Sequence, residues 1–127
     1  MPFATEIPES HRDPASYCSR QVRRGDEDFY LSVGYAPAAD QPRLLALFAL
    51  QIELRRIPRA VSEPPLGEIR LQWWREALDE VVSGAPPRAH PVVEALRASG
   101  AVNKSLRDLA EQMIDARARL LYDPHFR

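Results

Sequence analysis

Three arginines stand together after an apolar stretch, and their residue type suits the binding of an anion. Arg55, Arg56 and Arg59 follow the run LALFALQIEL and flank Pro58. A guanidinium group offers several N–H donors in one plane, so it holds phosphates and carboxylates through paired hydrogen bonds. These residues predict a site for a diphosphate or an acidic partner. A second interpretation stays open, because the helix dipole favours cations at a helix C-terminus even without a ligand.

Other patterns of catalytic or metal-binding residues are weak. The three histidines are far apart in the sequence and lack metal-ligand spacing: His11, His90 and His125. The glycines are scattered and form no phosphate-binding loop. Cys18 is the single cysteine, which excludes an internal disulfide and a cysteine metal cluster, and we expect it to pack in the core. We therefore predict no catalytic group and no metal site.

The composition is typical of a globular chain that works without nucleic acid. The 127 residues carry a net charge of −1, whereas non-specific nucleic-acid binding requires a strong basic excess. The chain has no run of about 18 apolar residues, so no helix is expected to span a membrane. Its first residues lack a secretory signal pattern. We predict a cytoplasmic location and leave contact with the inner membrane surface open.

Capping residues and prolines mark where helices begin and end. Asp13-Pro14, and Asp40 with Pro42, combine an N-cap side chain with a proline in the first helical turn. Pro58 is expected to end the long apolar helix that precedes it. The patterns predict helices over residues 14–24, 26–35, 41–57, 66–82, 91–97 and 104–121.

The absence of strand-like alternation predicts an all-α fold. Residues 1–12 show no periodicity and are expected to be a flexible lead-in, and residues 13–127 are expected to form one helical domain. The apolar spacing in the helix over residues 66–82 predicts an inner face formed by Leu66, Ile69, Trp73, Ala77, Leu78 and Val81. The adjacent Trp74 points about 100° away. It is expected to face a neighbour, a cavity or a partner, unless both indoles simply pack.

Five sequence blocks resemble, in order and spacing, the proteins of the squalene/phytoene synthase family. The resemblance covers residues 16–124, and VRRGDEDFYLS and EIRLQWWREAL are its most specific parts. The blocks are YCSRQVRRGDEDFYLSVGYAP, LLALFALQIELRRI, EIRLQWWREAL, HPVVEAL and MIDARARLLYDP. The resemblance implies an all-α helical bundle like the N-terminal half of the isoprenoid synthase fold.

The catalytic members of that family join two prenyl diphosphates head to head, in squalene- or phytoene-type isoprenoid biosynthesis. The resemblance implies two Asp-rich motifs, whose paired carboxylates hold the Mg²⁺ ions that neutralise the leaving diphosphate. Phe29 falls where the family lines its cavity near the first diphosphate. Phe48 falls where an aromatic ring faces the prenyl chain. Both are candidate substrate-binding residues.

The chain departs from the family at the first Asp-rich motif. Arg55, Arg56 and Arg59 occupy its positions, and arginine has no lone pair for Mg²⁺. Glu53 is the nearest acid, and Leu120 stands where another family aspartate is expected. The second Asp-rich motif is expected beyond this sequence. We keep Glu53 and the three arginines as candidate substrate-binding residues and expect no metal cofactor in this chain, although Mg²⁺ serves the catalytic relatives.

With arginine in place of the first aspartates, the sequence resembles those of the non-catalytic relatives that are tied to respiratory complex I assembly. The main prediction is a squalene/phytoene-synthase-like protein without metal-dependent prenyl transfer, with a binding or assembly role. Its expected partners are a prenyl diphosphate or lipid-like ligand, and a protein or second copy that covers exposed helix faces. Two alternatives stay open: a prenyl diphosphate transferase seen as a fragment, and a structural fragment with no activity of its own.

Overall fold

The computed structural model describes residues 13–126, and within them six helices and no strand are present. The prediction of an all-α fold is thereby confirmed. The expected lead-in, residues 1–12, lies outside the described residues, so the proposed domain boundary stays a prediction. The helices are α1 Pro14–Gly25, α2 Glu27–Val33, α3 Gln41–Ala60, α4 Pro64–Ser83, α5 Pro91–Ser99 and α6 Lys104–Leu121.

The described chain divides into two units, each with its own contacts. The first unit contains residues 13–52 and 87–101, and the second contains residues 53–86 and 102–126. Helix α3 begins in the first unit and ends in the second.

Side-chain oxygens cap the starts of three helices, and one of these caps, Asp13, is predicted above from the sequence. A side-chain oxygen of each cap accepts a backbone N–H three residues later, which stabilises a helix by about 0.5–2 kcal/mol. The pairs are Asp13 with Ser16 at 3.0 Å, Asp26 with Phe29 at 3.0 Å and Asn103 with Leu106 at 2.9 Å.

Helix α3 does not end at Pro58, and the prediction that it would is wrong. The helix continues to Ala60 with Pro58 inside its last turn. Proline removes one intrahelical hydrogen bond, but residues after it can keep helical dihedral angles. Pro58 and Ile57 are both buried, so packing holds the last turn in place against this loss.

The first unit is built on α1, which packs against both α2 and α5. Cys18 and Val22 point inward from α1 and are buried, so the predicted packing of Cys18 is confirmed. Gly25 ends α1 beside Ile52, where an added Cβ would lie 2.6 Å from the Cδ1 atom of Ile52. A side chain at this position would therefore force Ile52 to shift where the end of α1 meets α3.

The second unit is built on the packing of α4 against α6. The buried residues of α4 include Leu71, Trp74, Leu78 and Val81, and Gly67 approaches Leu121 of α6. The predicted inner face is right for Ala77, Leu78 and Val81 but wrong for Leu66, Ile69 and Trp73. Leu66 and Ile69 are exposed, and Trp73 is half-buried with its ring edge-on to Trp74 at 5.0 Å. The helix is rotated so that its small residue, Gly67, faces α6.

A network of ion pairs lines the contact of α4 with α6. Glu111 is shared between Arg75 and Arg107. Burial raises the pKa of Glu111, but the hydrogen bonds and charges of the two arginines outweigh this effect and lower the pKa overall. A connected network contributes more than an isolated exposed pair. The contacts are Arg75–Glu111 at 2.8 Å, Arg75–Asp115 at 3.0 Å, Arg107–Asp79 at 2.7 Å and Arg107–Glu111 at 3.0 Å.

His90 is a buried histidine that caps α5. Its Nδ1 accepts the backbone N–H of Val92 at 3.1 Å, and its ring meets Tyr17 edge-on with centroids 6.2 Å apart. An acceptor at Nδ1 requires the neutral ring with its proton on Nε2. Burial lowers the pKa of His90 from 6.5 to about 4, which agrees with the neutral form.

Replacing Gly67 with alanine is expected to destabilise the protein. The new Cβ would lie 2.5 Å from Cδ2 and 3.2 Å from Cγ of Leu121, a buried side chain with little room to move. Overpacking of this kind costs about 1–3 kcal/mol, which meets or exceeds the ~1 kcal/mol that alanine gains in helix propensity. Urea denaturation should show a lower free energy of unfolding. The exposed-site control Arg70→Ala should change it by less than about 0.5 kcal/mol. A Gly67→Ala protein more stable than wild type would contradict the close contact of α4 with α6.

His90 is expected to make the protein less stable in acid. The unfolded chain binds a proton near pH 6.5, whereas the folded His90 does so only near pH 4, so its contribution is complete above pH 6.5 and falls as the pH drops towards 4. This gap corresponds to about 3 kcal/mol. Urea denaturation at a series of pH values should show a free energy of unfolding that falls as the pH is lowered from 6.5 towards 4. This dependence on pH should be weaker in the variant His90→Asn, because asparagine keeps a capping oxygen but does not titrate. Identical slopes in the two proteins would rule out His90 as the source.

Candidate functional site

Two of the predicted site residues, Phe29 and Phe48, lie against each other in the first unit. Their rings stack with centroids 3.1 Å apart and an interplanar angle of 19°. Phe29 is held at the start of α2, where its backbone N–H donates to Asp26, and Phe48 extends from α3. Both side chains are half-buried. The pair offers an apolar surface of the kind that a prenyl or lipid chain would contact.

A groove of about 420 Å³ is a separate feature of the first unit. Its walls are mainly apolar and come from α1, α3 and α5, with Cys18, Leu45 and Ala95 among the lining residues. Its volume is within the range of small-molecule sites, about 300–1,000 Å³. Neither Phe29 nor Phe48 lines it. The first unit therefore has two apolar features, the ring pair and this groove.

The four polar candidates lie in the second unit, on the last turns of α3. Arg55, Arg56 and Arg59 are exposed, and Glu53 is half-buried. Arg55 and Arg59 are one turn apart on the same side of the helix. The guanidinium of Arg59 lies over the ring of Phe126 at 5.2 Å, which favours the cation through the ring's negative face. The helix dipole also favours cations at this end of α3.

Arg117 is an additional candidate that sequence reasoning missed. It lies on α6 and is half-buried, and its Nε is inaccessible with no hydrogen-bond partner within residues 13–126. Burial and then the positive charge of Arg55 lower its pKa. A buried donor without a partner costs about 1–3 kcal/mol, so this arrangement reduces stability. We call Arg55, Arg59 and Arg117 the arginine cluster.

The sequence does contain a signal for Arg117. Ala110, Ile114 and Leu121 are the buried residues of α6. Arg117 continues their i, i+4, i+7, i+11 spacing, so it shares their side of the helix. An arginine inside an apolar stripe is a charge directed towards the inner face.

The arginine cluster does not fit a Mg²⁺ ion. Mg²⁺ takes oxygen ligands, and a guanidinium group has no lone pair to offer. Within residues 13–126, no group of three or more His, Cys, Asp or Glu side chains is placed to hold a metal ion. Leu120, where the resemblance expects an aspartate, is apolar and half-buried. No metal-dependent step therefore follows from these positions.

Several large apolar side chains of the second unit are exposed. They include Leu66 and Ile69 on α4 and Tyr122, whose hydroxyl donates to Glu68 at 2.7 Å. In the part of the chain that the structure describes, no helix has the length and apolarity needed to cross a bilayer. The exposed side chains provide apolar area that a partner can cover.

The chain is similar to known proteins over most of its length. The family profile described as squalene/phytoene synthase matches residues 22–127. The curated protein "NADH dehydrogenase (ubiquinone) complex I, assembly factor 6" of Rattus norvegicus is 33% identical over 121 residues, and that of Bos taurus is 32% identical over 111 residues. The protein of the same name from Homo sapiens is 29% identical over 111 residues. No solved structure matches.

These alignments cover the chain and its relatives unequally. They include 95% of this chain for the rat protein and 87% for the bovine and human proteins. They include only 35% of the rat protein and 33% of the other two. The chain thus spans about a third of the length of these relatives.

Replacing Arg117 with methionine is expected to stabilise the protein. Methionine fills much of the same space, while the unsatisfied Nε and the repulsion from Arg55 are removed. We expect a gain on the order of 1 kcal/mol in the free energy of unfolding, measured by urea denaturation at low salt. Added salt should then stabilise the wild type more than the variant, because it screens the repulsion.

Arg119→Met serves as the matched control, because Arg119 is exposed on the same helix. It should change the free energy of unfolding by less than about 0.5 kcal/mol. A clear loss of stability in Arg117→Met would mean that the guanidinium of Arg117 makes a net favourable contact in the folded protein.

Proposed function

Because the chain belongs to the squalene/phytoene synthase family, we propose that it serves the assembly of respiratory complex I and does not carry out metal-dependent prenyl transfer. The observation that carries this proposal is the presence of Arg55, Arg56 and Arg59 at the end of α3. These are the positions at which the resemblance expects the first Asp-rich motif.

The chemistry of head-to-head transfer explains why this replacement matters. Departure of a diphosphate leaves concentrated negative charge, which catalytic members neutralise with Mg²⁺ ions held by carboxylates. Arginine side chains can hold a diphosphate by hydrogen bonds, but they cannot ligate the metal. A chain with arginine at these positions is therefore suited to binding an anion without ionising the substrate.

The assembly role is supported by the relatives. The rat, bovine and human proteins are named as complex I assembly factors and are 29–33% identical to this chain. Such a role requires a protein partner, and we infer that the exposed side chains of Leu66, Ile69 and Tyr122 take part in its binding. We place the protein in the cytoplasm at the inner membrane surface, where it would meet the complex during assembly.

An apolar ligand forms the second part of the proposal. The stacked rings of Phe29 and Phe48 and the groove in the first unit both favour a prenyl or lipid-like chain. Burial of such a chain needs apolar area and no metal. The ligand would then be held by the protein without undergoing reaction.

The proposal predicts the results of two experiments, a gene deletion in the host and an assay of the purified protein. Deletion of the gene in its own host should reduce assembled complex I in the membranes, and a plasmid copy of the wild-type gene should restore it. The purified protein incubated with farnesyl diphosphate and Mg²⁺ should release no pyrophosphate above background, with an active family member as the positive control. Robust release of pyrophosphate would contradict the non-catalytic proposal and favour the transferase alternative. Unchanged complex I after deletion would contradict the assembly role.

A further inference from the structure

We propose that the groove of the first unit binds an uncharged apolar chain, one without the diphosphate that the catalytic relatives' substrates carry. This binding rests on the proposed function, in which an apolar ligand is held without reaction, and adds its site and its head group. The groove has a volume of about 420 Å³, and all its lining residues belong to the first unit. Phe29 and Phe48, which the resemblance places at the family's cavity, do not line it, so the groove is a separate site.

The groove has a buried apolar floor and an open mouth. Cys18 and Ala95 form the floor and are only 1% and 8% exposed, and Leu45 beside them is half-buried. Ala98 lies at the mouth and is exposed. An apolar chain that enters the groove removes its own surface and that of the floor from water, which favours binding without any polar contact.

The oxygen-bearing side chains of the lining already make hydrogen bonds within the protein. These pairs are Asp13 with the backbone N–H and the hydroxyl of Ser16 at 3.0 and 2.9 Å, Gln41 with the carbonyl of Ala36 at 3.0 Å, and Ser99 with the carbonyl of Leu96 at 3.5 Å. A polar ligand would have to compete with these bonds for the same groups. The lining therefore favours a ligand with few polar atoms.

The charge of the lining opposes a diphosphate head group. Among the described residues that line the groove, Asp13 is the one charged residue, and lysine, arginine and histidine are absent. Asp13 is exposed, so its carboxylate lies at the mouth, where the head group of a bound chain would emerge. A diphosphate there would meet a like charge and no cation of the lining. A hydroxyl or another uncharged head group avoids this repulsion.

The size of the groove favours a thin chain over a helix of a protein partner. A single turn of α-helix with its side chains is about 5.4 Å long and 10–12 Å across, so it occupies roughly 400–600 Å³. The groove of about 420 Å³ would thus be filled by one turn. A flexible hydrocarbon chain has no such minimum width and can follow the small side chains of Ala95 and Ala98 along the wall.

The head group is tested by equilibrium dialysis of the 127-residue chain against two radiolabelled ligands with the same chain, farnesol and farnesyl diphosphate, in EDTA at low salt. We expect farnesol to bind and farnesyl diphosphate to bind at least about fivefold more weakly, because Asp13 repels it. Asp13→Asn keeps the helix cap and removes the charge. This variant should hold farnesol within about twofold of the wild-type affinity and bring the diphosphate closer to it. Equal affinity of the wild type for both ligands would overturn the assignment of an uncharged head group.

Two further measurements locate the bound chain. Ala98→Phe places a ring at the mouth of the groove and should weaken the binding of farnesol by about tenfold or more. Ala89→Phe changes an exposed alanine of the same unit that does not line the groove, so it is the matched control and should stay within about twofold. Bound farnesol should also slow the reaction of iodoacetamide with Cys18, the single cysteine. Circular dichroism verifies the fold of each variant.

Three outcomes overturn the assignment of this ligand to the groove. They are the absence of farnesol binding, equal binding by the Ala98→Phe and Ala89→Phe proteins, and unchanged reactivity of Cys18 in the presence of farnesol. A change of oligomeric state in Ala98→Phe, measured by size-exclusion chromatography, would also overturn it, because a second copy would then be the occupant of the groove. Failure of the proposed function shows separately, as pyrophosphate release from farnesyl diphosphate with Mg²⁺ or as normal complex I after gene deletion.

Discussion

The contact between Gly67 of α4 and Leu121 of α6 determines the geometry of the second unit. Because Gly67 has no side chain, the two helices approach closely enough for Arg75 and Arg107 to form ion pairs between them. The same packing turns the apolar stripe of α6 inward, and Arg117 lies in that stripe. One close contact thus accounts both for the satisfied ion pairs and for the guanidinium that lacks a hydrogen bond at its Nε.

The sequence predicted features that depend on residues close together in the chain. Asp13 and Asn103 cap their helices through atoms three residues away, so their role is visible without tertiary structure. Pro58 was assigned wrongly because burial of the last turn of α3 outweighs one missing hydrogen bond. The buried tryptophan of α4 is Trp74 because the rotation of that helix follows its contact with α6. Such a contact with a distant segment cannot be deduced from the spacing within α4 alone.

The candidate site residues also fall into two groups, those that the sequence predicts from neighbouring residues and those that depend on contacts between helices. Arg55, Arg56 and Arg59 were found because they are neighbours in the chain, and the structure places them together at the end of α3. Arg117 was not predicted, because its electrostatic interaction is with Arg55, which belongs to another helix. The stacking of Phe29 on Phe48 is likewise a contact between helices that the sequence does not specify. The family resemblance gave these aromatic residues a shared environment but no geometry.

The spacing of the arginines on α3 also limits how this chain can change during evolution. An aspartate introduced at position 55 alone would stand one turn from Arg59 and near Arg117, both of them better partners for a carboxylate than a hydrated Mg²⁺ ion. The new acid would be neutralised by its neighbours before it could act as a metal ligand. Acquisition of metal chemistry at this helix end would therefore require several substitutions at once, and single-step mutation offers no gradual path towards it.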